Sequence, residues 1–381
     1  MASTVYFIDF RATFQENILE KINRLITTAG LSEALCKNDL TAVKLHFGEL
    51  GNTAHIKPVF VGKIVEAIKA TGANPFLVDT NTLYAGSRSN TPDHINTSVK
   101  NGFAYSVVNA PVVIADGLRG KSDVAVQIGK KHFEEVFIAS DIFHADSMIS
   151  LAHFKGHELS GFGGTIKNLA MGCASRRGKL AMHSTVSPKV KAKKCVGCKE
   201  CIRHCPADAI TINEKNKAVI DSEKCIGCGE CIIVCATEAV QVRWNQKVPV
   251  FLDKMVEYAF GAIQNKKEKT LYINFVNNIS PLCDCIGHND TPIVRDIGIV
   301  ASTDPVAIDQ ASFDLVNKEA ALSDSCLTTN TAPGEDKFNG MYPYGNWEDQ
   351  LKYAEELGMG SRQYTLEYLK TIGLKKAEQE D

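Results

Sequence analysis

No stretch of this chain approaches the ~18 uninterrupted apolar residues of a membrane-spanning helix, so no such span and no membrane partner are expected. Net charge is nearly missing as well: 42 Lys and Arg stand against 44 Asp and Glu, a balance of −2. Without a basic excess there is no broad electrostatic footprint for nucleic acid. The opening run from Met1 to Phe10 has no basic n-region and no long apolar core, so no secretory signal is expected. The composition, 44% hydrophobic and 8% aromatic, suits a globular protein with a sizeable core. At 381 residues the chain exceeds one typical domain.

What the chain has in quantity is cysteine, 13 in all, and eight of them fall in two copies of one signature. The first is Cys195-x2-Cys198-x2-Cys201-x3-Cys205-Pro206; the second is Cys225-x2-Cys228-x2-Cys231-x3-Cys235-Ala236. The flanks repeat too. Lys194-Cys-Val-Gly-Cys-Lys-Glu-Cys returns as Lys224-Cys-Ile-Gly-Cys-Gly-Glu-Cys, and Ala-Ile-Thr-Ile after Asp208 matches Ala-Val-Gln-Val after Glu238. This is the bacterial ferredoxin run, in which three close thiolates and one distant one hold a [4Fe–4S] cube. Two-residue gaps let the chain curl until three sulfurs point at one cube, with Gly197 and Gly227 easing the curl. The fourth cysteine is carried off by the following helix and reaches the other cube. One cluster is therefore assigned to Cys195, Cys198, Cys201 and Cys235, the other to Cys225, Cys228, Cys231 and Cys205. Paired C-x2-C units also bind zinc, but a zinc site leaves the third evenly spaced cysteine of each run without a purpose. Between Lys189 and Arg243 there are ten Lys and Arg against seven Asp and Glu. That excess offsets most of the negative charge that two thiolate-bound cubes bring. Five cysteines remain: Cys36, Cys173, Cys283, Cys285 and Cys326. An odd remainder fits a reducing cytoplasm better than a disulfide scaffold.

The rest of the chain reads as α/β. Thr41–Phe47 and Pro75–Asp79 are expected strands, with a helical face of Ile56, Val59, Phe60, Ile64, Ala67 and Ile68 between them and Gly72 as a stop. Apolar runs at 112–115, 124–128, 136–139 and 148–152 are expected to extend the sheet. Strands alternating with helices predict mostly parallel pairing with flanking helices. The same grammar resumes after the cysteines: a helix over 250–262, strands at 271–276 and 297–300, and a helix start at Asp304-Pro305. Helical segments are expected over 347–357 and 362–369. The economical organisation is an α/β domain formed by residues 1–190 and 244–381. A small α+β two-cluster ferredoxin-like module, residues 191–243, interrupts it.

In open α/β sheets ligands bind beyond the carboxyl ends of the strands, and polar residues recur there. They include His46 and Glu49; Asp79, Asn81 and Tyr84; Asp141 and His144; His153, Lys155 and His157; and His288. A glycine-rich turn, Gly161, Gly163 and Gly164, leads into an expected helix from Thr165. Free N–H groups at such a start attract anions, and Arg176, Arg177, Lys179 and His183 follow as further cations. The spacing matches neither the dinucleotide fingerprint nor a P-loop. Cys283-x-Cys285 offers a metal ligand pair or a dithiol.

Several of these segments together resemble one family. They are Lys44-x-His46-Phe-Gly-Glu49, His153-Phe-Lys-Gly-His157 with Gly-Phe-Gly-Gly-Thr-Ile-Lys-Asn168, Cys283-Asp-Cys285 and Asp304-Pro-Val-Ala. The chain is similar to the uncharacterised iron–sulfur centre proteins built on domain of unknown function 362 with an inserted ferredoxin module. The resemblance implies that architecture and two [4Fe–4S] clusters; it implies no substrate. Only Ala236, where proline is usual, departs from the cysteine pattern.

The expected function is electron transfer through the two clusters, coupled to a redox step on a small molecule, an anion among the candidates, at the α/β domain. His46, Glu49, His153, Lys155, His157 and Lys167 are candidates for binding or proton transfer. The alternative is a non-catalytic electron carrier or redox subunit whose α/β domain is a docking platform. A further alternative has structural or oxygen-sensing cubes with the chemistry at Cys283 and Cys285. A soluble redox partner (a ferredoxin, flavodoxin or oxidoreductase) is expected. A flavin carries no short signature, so a flavin or a further metal stays open beside the cubes.

Overall fold

In the computed structural model, which describes residues 2–184, 187–243 and 247–374, one eight-stranded sheet dominates. Its order is 364–368, 3–9, 298–302, 270–276, 147–153, 40–44, 74–79 and 112–114. Five of the seven neighbouring pairs are parallel, and Gly298–Ser302 alone runs against the rest. The fold is thus α/β, with a mostly parallel sheet between helices. Strands Ser147–His153 and Thr270–Val276 are buried along their whole length, as central parallel strands must be when both faces are covered. On one face pack Ile18–Thr28 and Pro58–Ala70; on the other, Thr165–Cys173, Val248–Ile263 and Pro305–Asn317.

The chain leaves the sheet in a way that prepares a site. From Leu40–Lys44 it steps outward to Asn74–Asp79 and Val112–Ile114, then returns to place Ser147–His153 on the other side of Leu40–Lys44. The crevice between 40–44 and 147–153 is a topological switch point, where connections diverge and leave room for a ligand.

Three sequence expectations need correction. Residues 124–128 and 136–139 do not extend the main sheet; Asp123–Gln127 and Glu135–Ala139 pair as a separate antiparallel hairpin. The 362–369 segment is a strand, Tyr364–Tyr368, parallel to Ser3–Asp9 at the sheet edge. Its Tyr-Thr-Leu-Glu-Tyr sequence alternates on a half-exposed edge, and a free edge on the first strand overrode the weak helical pattern. The first expected strand ends at Lys44, not Phe47; the chain turns away after it, and His46 lines a cavity. Asp304 does cap its helix, accepting from Val306 and Ala307 N–H at 2.8 and 2.9 Å.

The cysteine segment forms two small antiparallel pairs, 189–190 with 240–241 and 210–212 with 218–220. It also forms two one-turn helices, Glu200–Arg203 and Glu230–Ile233. The sequence repeat is a backbone repeat: Gly197 and Gly227, Lys199 and Gly229, and Asp208 and Glu238 all take positive φ. The expected boundary at 243/244 adjoins residues outside those described. One contact seats this segment on the sheet domain. Arg176 Nη1 meets Glu230 Oε2 at 3.1 Å with both side chains at most 1% exposed, and Arg119 reaches the other carboxylate oxygen at 3.1 Å. Removing one partner of a buried pair strands the other charge and costs about 3–5 kcal/mol, whereas an exposed pair is worth under about 1 kcal/mol. Glu230→Ala should therefore lower the unfolding free energy by about 3 kcal/mol and open residues 187–243 to limited proteolysis. Glu200→Ala, which removes the exposed partner of Arg203, should change neither in the same denaturation and digestion series.

Candidate functional site

The carboxyl ends of the parallel strands and the loops that follow them enclose a cavity of about 150 Å³. His46 comes from the end of 40–44; Asp79, Tyr84 and Arg88 follow 74–79; His157 follows 147–153. Lys167 and Met171 come from helix Thr165–Cys173, Lys179 and His183 from helix Arg176–His183, and Cys283 and Cys285 from the loop after 270–276. A smaller cavity of about 50 Å³ lies at the switch point and shares His46, Lys167, Met171 and Cys283 with the first. Lys44, His153, Lys155, Asn168, Gly163 and Gly164 also line it.

The charges are arranged largely in pairs, Lys44 with Asp79, Arg88 with Glu49, Lys155 with Asp284 and Lys167 with Cys283, and Lys179 and Glu158 also line the larger cavity. Asp79 is held well below the usual carboxylate range: burial opposes its charge, but Lys44 at 3.1 Å and the neighbouring His46, His94 and Arg88 more than offset it. Glu49 binds Arg88 Nε at 3.1 Å and accepts from Ser87, so it orients the guanidinium instead of facing a ligand. Arg88 in turn donates to Tyr84 Oη at 3.2 Å, and Tyr84 donates to the Cys285 carbonyl at 3.0 Å. Lys167 Nζ lies 3.2 Å from Cys283 Sγ. Burial works against the Lys167 charge, yet the sulfurs of Cys283 and Cys285 hold its pKa above the ordinary lysine range. Cys283 is pulled well below the thiol range, first by its hydrogen bond with Cys285 and then, against burial, by Lys167 and Lys155.

His46 and His157 are neutral donors. Burial drives His46 and His157 well below their ordinary pKa, and His183 down to about 3. In both His46 and His157 Nδ1 accepts backbone N–H bonds, from Gly48 at 2.9 Å and from Leu159 and Ser160 at 3.2 and 3.1 Å. The proton then sits on Nε2 in each ring. His153 uses both ring nitrogens inside the protein, Nδ1 on Asp284 at 2.9 Å and Nε2 on the Asn277 carbonyl at 2.9 Å. Lys155 spans the His153 carbonyl at 3.0 Å and Asp284 at 3.4 Å.

His46, Lys167, His157, Cys283 and Cys285 thus converge on the larger cavity; Lys155 and His153 stand behind it, and Glu49 stands behind Arg88. The glycine-rich turn has a different use. Thr165 and Ile166 N–H donate to the buried Asp309 carboxylate at 2.7 and 2.9 Å, so the anion at this helix start is the protein's own. Gly161 lies against Trp347 and Gly164 against Asp309 with no room for a Cβ, while Gly163 faces Lys155 and Lys167. Arg177 pairs with Asp123 at 2.6 Å, and Arg176 with Glu230. Neither arginine lines a cavity. Asp141, His144 and His288 line neither cavity. Arg88 and Asp284 were not singled out as site residues, because an arginine in a polar loop and an acid between two cysteines carry no periodic signal.

In the cysteine segment, one small cavity is lined by Cys205, Cys225, Cys228 and Cys231. A second is lined by Cys195, Cys198, Cys201 and Cys235. Ala209 and Ala239 N–H point at Cys205 and Cys235 Sγ from 3.3 and 3.1 Å, at repeat-equivalent positions. Among the described residues, the set of three or more His, Cys, Asp or Glu ligand atoms lying within 4.8 Å of one another is His157, Cys283 and Cys285.

The helix Arg176–His183 separates the two regions. Arg176 and Leu180, one turn apart, face the cysteine segment, where Gly227 and Gly229 approach them. Lys179 and His183, also one turn apart, face the larger cavity. That is the i, i+4 rule acting on two stripes of one short helix. Leu83 lines the cavity and also packs in the apolar cluster containing Cys195, Cys201 and Cys231.

An α/β sheet with a cavity lined by charged groups and histidines at its strand ends, and a doubled cysteine motif seated beside that cavity, defines a cysteine-rich α/β protein. The chain belongs to the family of the domain of unknown function DUF362, whose model matches residues 41–314. No curated protein matches it in sequence. Among solved structures it is similar to the lactate racemase apoprotein from Thermoanaerobacterium thermosaccharolyticum, at 12% identity and a TM-score of 0.34, over 71% of this chain and 50% of that one. It is also similar to a protein from Thermotoga maritima, at 8% identity and a TM-score of 0.35, over 89% and 58%. The chain thus spans only half to three fifths of those proteins, and neither likeness bears on function here. Among the described residues no helix is long and apolar enough to cross a membrane.

Lys179 gives the cavity a pH dependence. Burial lowers its pKa to about 8, with Asp116 and Asp79 limiting the fall. Above that value the ammonium loses its proton and the cavity one positive charge. Affinity for inorganic sulfate, followed by calorimetry, should weaken as pH rises through about 8, by at most about tenfold per unit. Lys179→Met should bind sulfate more weakly at neutral pH and without that slope.

Proposed function

We propose that this protein carries two [4Fe–4S] clusters and passes electrons through them to a redox step on a small anionic molecule in the strand-end cavity. The observation that carries the reading is the two-faced helix Arg176–His183, which sets the cysteine segment against the cavity wall. The partition of the cysteines supports it. Each small cavity collects three cysteines of one run and the distant fourth of the other, as crossed ferredoxin ligation requires. Thiolates around a single zinc ion at ~2.3 Å lie within about 4 Å of each other. No three module cysteines are that close among the described residues, which supports a group larger than one ion.

The clusters would supply one-electron transfer; the chain's own residues do the rest. Cys205, Cys225, Cys228 and Cys231 lie beside Leu180, Leu83 and Arg176, so this cluster position adjoins the cavity. Both small cavities are lined by the cysteine segment alone; beside the one bordered by the other four cysteines, Cys198 and Val196 are exposed. That edge is where a soluble redox protein would dock. In the strand-end cavity Arg88, Lys167 and Lys179 provide positive charge, and His46 and His157 provide neutral Nε2–H donors to fix an anion. Leu83, Leu159, Met171 and Phe251 supply an apolar wall that excludes water. The exposed apolar residues Val196 and Ile226 also suit a second reading, a bare electron carrier docking at its cysteine segment. The cavity's buried cations have no role in that reading.

Native mass spectrometry of the full chain, purified without oxygen, tests the proposal. The expected mass is the chain with two Fe4S4 units, and Cys235→Ser should disturb the unit held by Cys195, Cys198 and Cys201 while sparing the other. Zinc ions in their place, or a chain without metal, would contradict it.

A further inference from the structure

The loop after strand Thr270–Val276 brings two sulfurs to one wall of the larger cavity. Cys283, Asp284 and Cys285 enter a tight turn, closed by the Ile286 N–H on the Cys283 carbonyl at 3.0 Å; both cysteines line the cavity, while the Asp284 carboxylate is held by His153. The loop is pinned at several points. Asp284 is fully buried on His153 at 2.9 Å, its carbonyl accepts from Glu49 N–H at 2.8 Å, and the Cys285 carbonyl accepts from Tyr84 at 3.0 Å. His153, Lys155 and Glu49 therefore act on this loop and not on a ligand. The sulfurs and a His157 ring nitrogen lie within 4.8 Å of one another.

Three such atoms invite a metal ion, but His157 is built against it. Nδ1 already accepts two backbone N–H bonds, which puts the proton on Nε2. A ligating histidine shows the reverse arrangement, a free lone pair on one nitrogen and a donated N–H on the other. Neither nitrogen offers a free lone pair here. His157 is instead an N–H donor beside two sulfurs. The other neighbour is cationic: Lys167 Nζ lies 3.2 Å from Cys283 Sγ, and the Cys285 N–H approaches the same sulfur at 3.4 Å. Such surroundings favour a thiolate, and they favour it on Cys283 alone, leaving Cys285 as the partner thiol.

We propose that Cys283 and Cys285 are a redox-active pair that cycles between thiolate–thiol and an intrachain disulfide, carrying two electrons between the cysteine module and the anion in the cavity. The inference rests on the electron-transfer reading above. In the reducing direction the disulfide takes up two electrons, one from each cluster, and one proton. The S–S bond breaks, leaving Cys283 as thiolate against Lys167 and Cys285 as thiol. In the delivering direction the pair gives two electrons and one proton to an oxidised anionic substrate, and the S–S bond re-forms. The substrate class is thus a small anion that accepts the equivalent of a hydride.

Trypsin isolates the pair, because residues 270–295 contain no internal Lys or Arg and no other cysteine. Full-length protein purified without oxygen is treated with diamide, quenched in acid with N-ethylmaleimide, digested and weighed. A second sample is first re-reduced with photoexcited deazaflavin, a one-electron donor to the clusters. The 270–295 peptide should be unlabelled and two hydrogens lighter after diamide, and doubly labelled after re-reduction. In Cys285→Ser, Lys167→Met should slow alkylation of Cys283 about tenfold, the effect of one unit of thiolate pKa. A peptide that stays doubly labelled after diamide, in protein whose clusters still reduce by electron paramagnetic resonance, overturns the pair and leaves the electron-transfer reading standing. So does a stoichiometric non-cluster metal lost in Cys283→Ser. A disulfide that opens with a phosphine but not with deazaflavin overturns the link to the module.

Discussion

The buried pair of Arg176 and Glu230 decides where the cysteine segment sits, and the rest of the arrangement depends on that seat. A guanidinium and a carboxylate removed from water carry a desolvation cost of several kcal/mol each, which only close and complete hydrogen bonding repays. Arg176 meets that demand with the carbonyls of Thr82, Ser89 and Arg119 in addition to Glu230. The contact therefore fixes an orientation as well as a position. The first residue of helix Arg176–His183 locks the module. One turn and two turns later, the other stripe of the same helix presents Lys179 and His183 to the cavity.

Burial has a second consequence at the cavity. Desolvation strips the charge from His46, His157 and His183 but not from Arg88 or Lys167, each of which has anionic partners. The site is left with fixed cations, neutral N–H donors and one thiolate. This set suits the proposed anion and electron chemistry, and His46, His157 and His183 are too far depressed for proton transfer near neutral pH. The roles first expected of the histidines are divided accordingly: His46 and His157 face the ligand space, while His153 holds the Cys283–Cys285 loop through Asp284.

The sequence carries the cysteine repeat most openly, because a repeat of fixed spacing survives in one dimension. The sheet was legible for its buried strands, whose apolar runs have no other use. It was misread at Tyr364–Tyr368, an edge strand with an exposed face, and at the hairpin of 123–127 with 135–139, where strand character does not say which sheet a strand joins. The cavity was visible only as scattered polar residues at strand ends. Arg176 and Gly161–Gly164 looked like anion binders because cations and free N–H groups carry that meaning locally. Their actual partners, Glu230, Trp347 and Asp309, lie from 54 to 186 residues away along the chain and could be supplied only by the fold.

The central claim is that one cluster adjoins the cavity across a single helix while the other does not. An electron paramagnetic resonance redox titration of the native chain and of Lys179→Met tests it most directly. Removing a buried cation disfavours the added electron of a nearby centre, so the account predicts two one-electron centres, of which one shifts to lower potential and the other stays. Two unmoved centres, two that shift equally, or no pair of one-electron centres at all would contradict it.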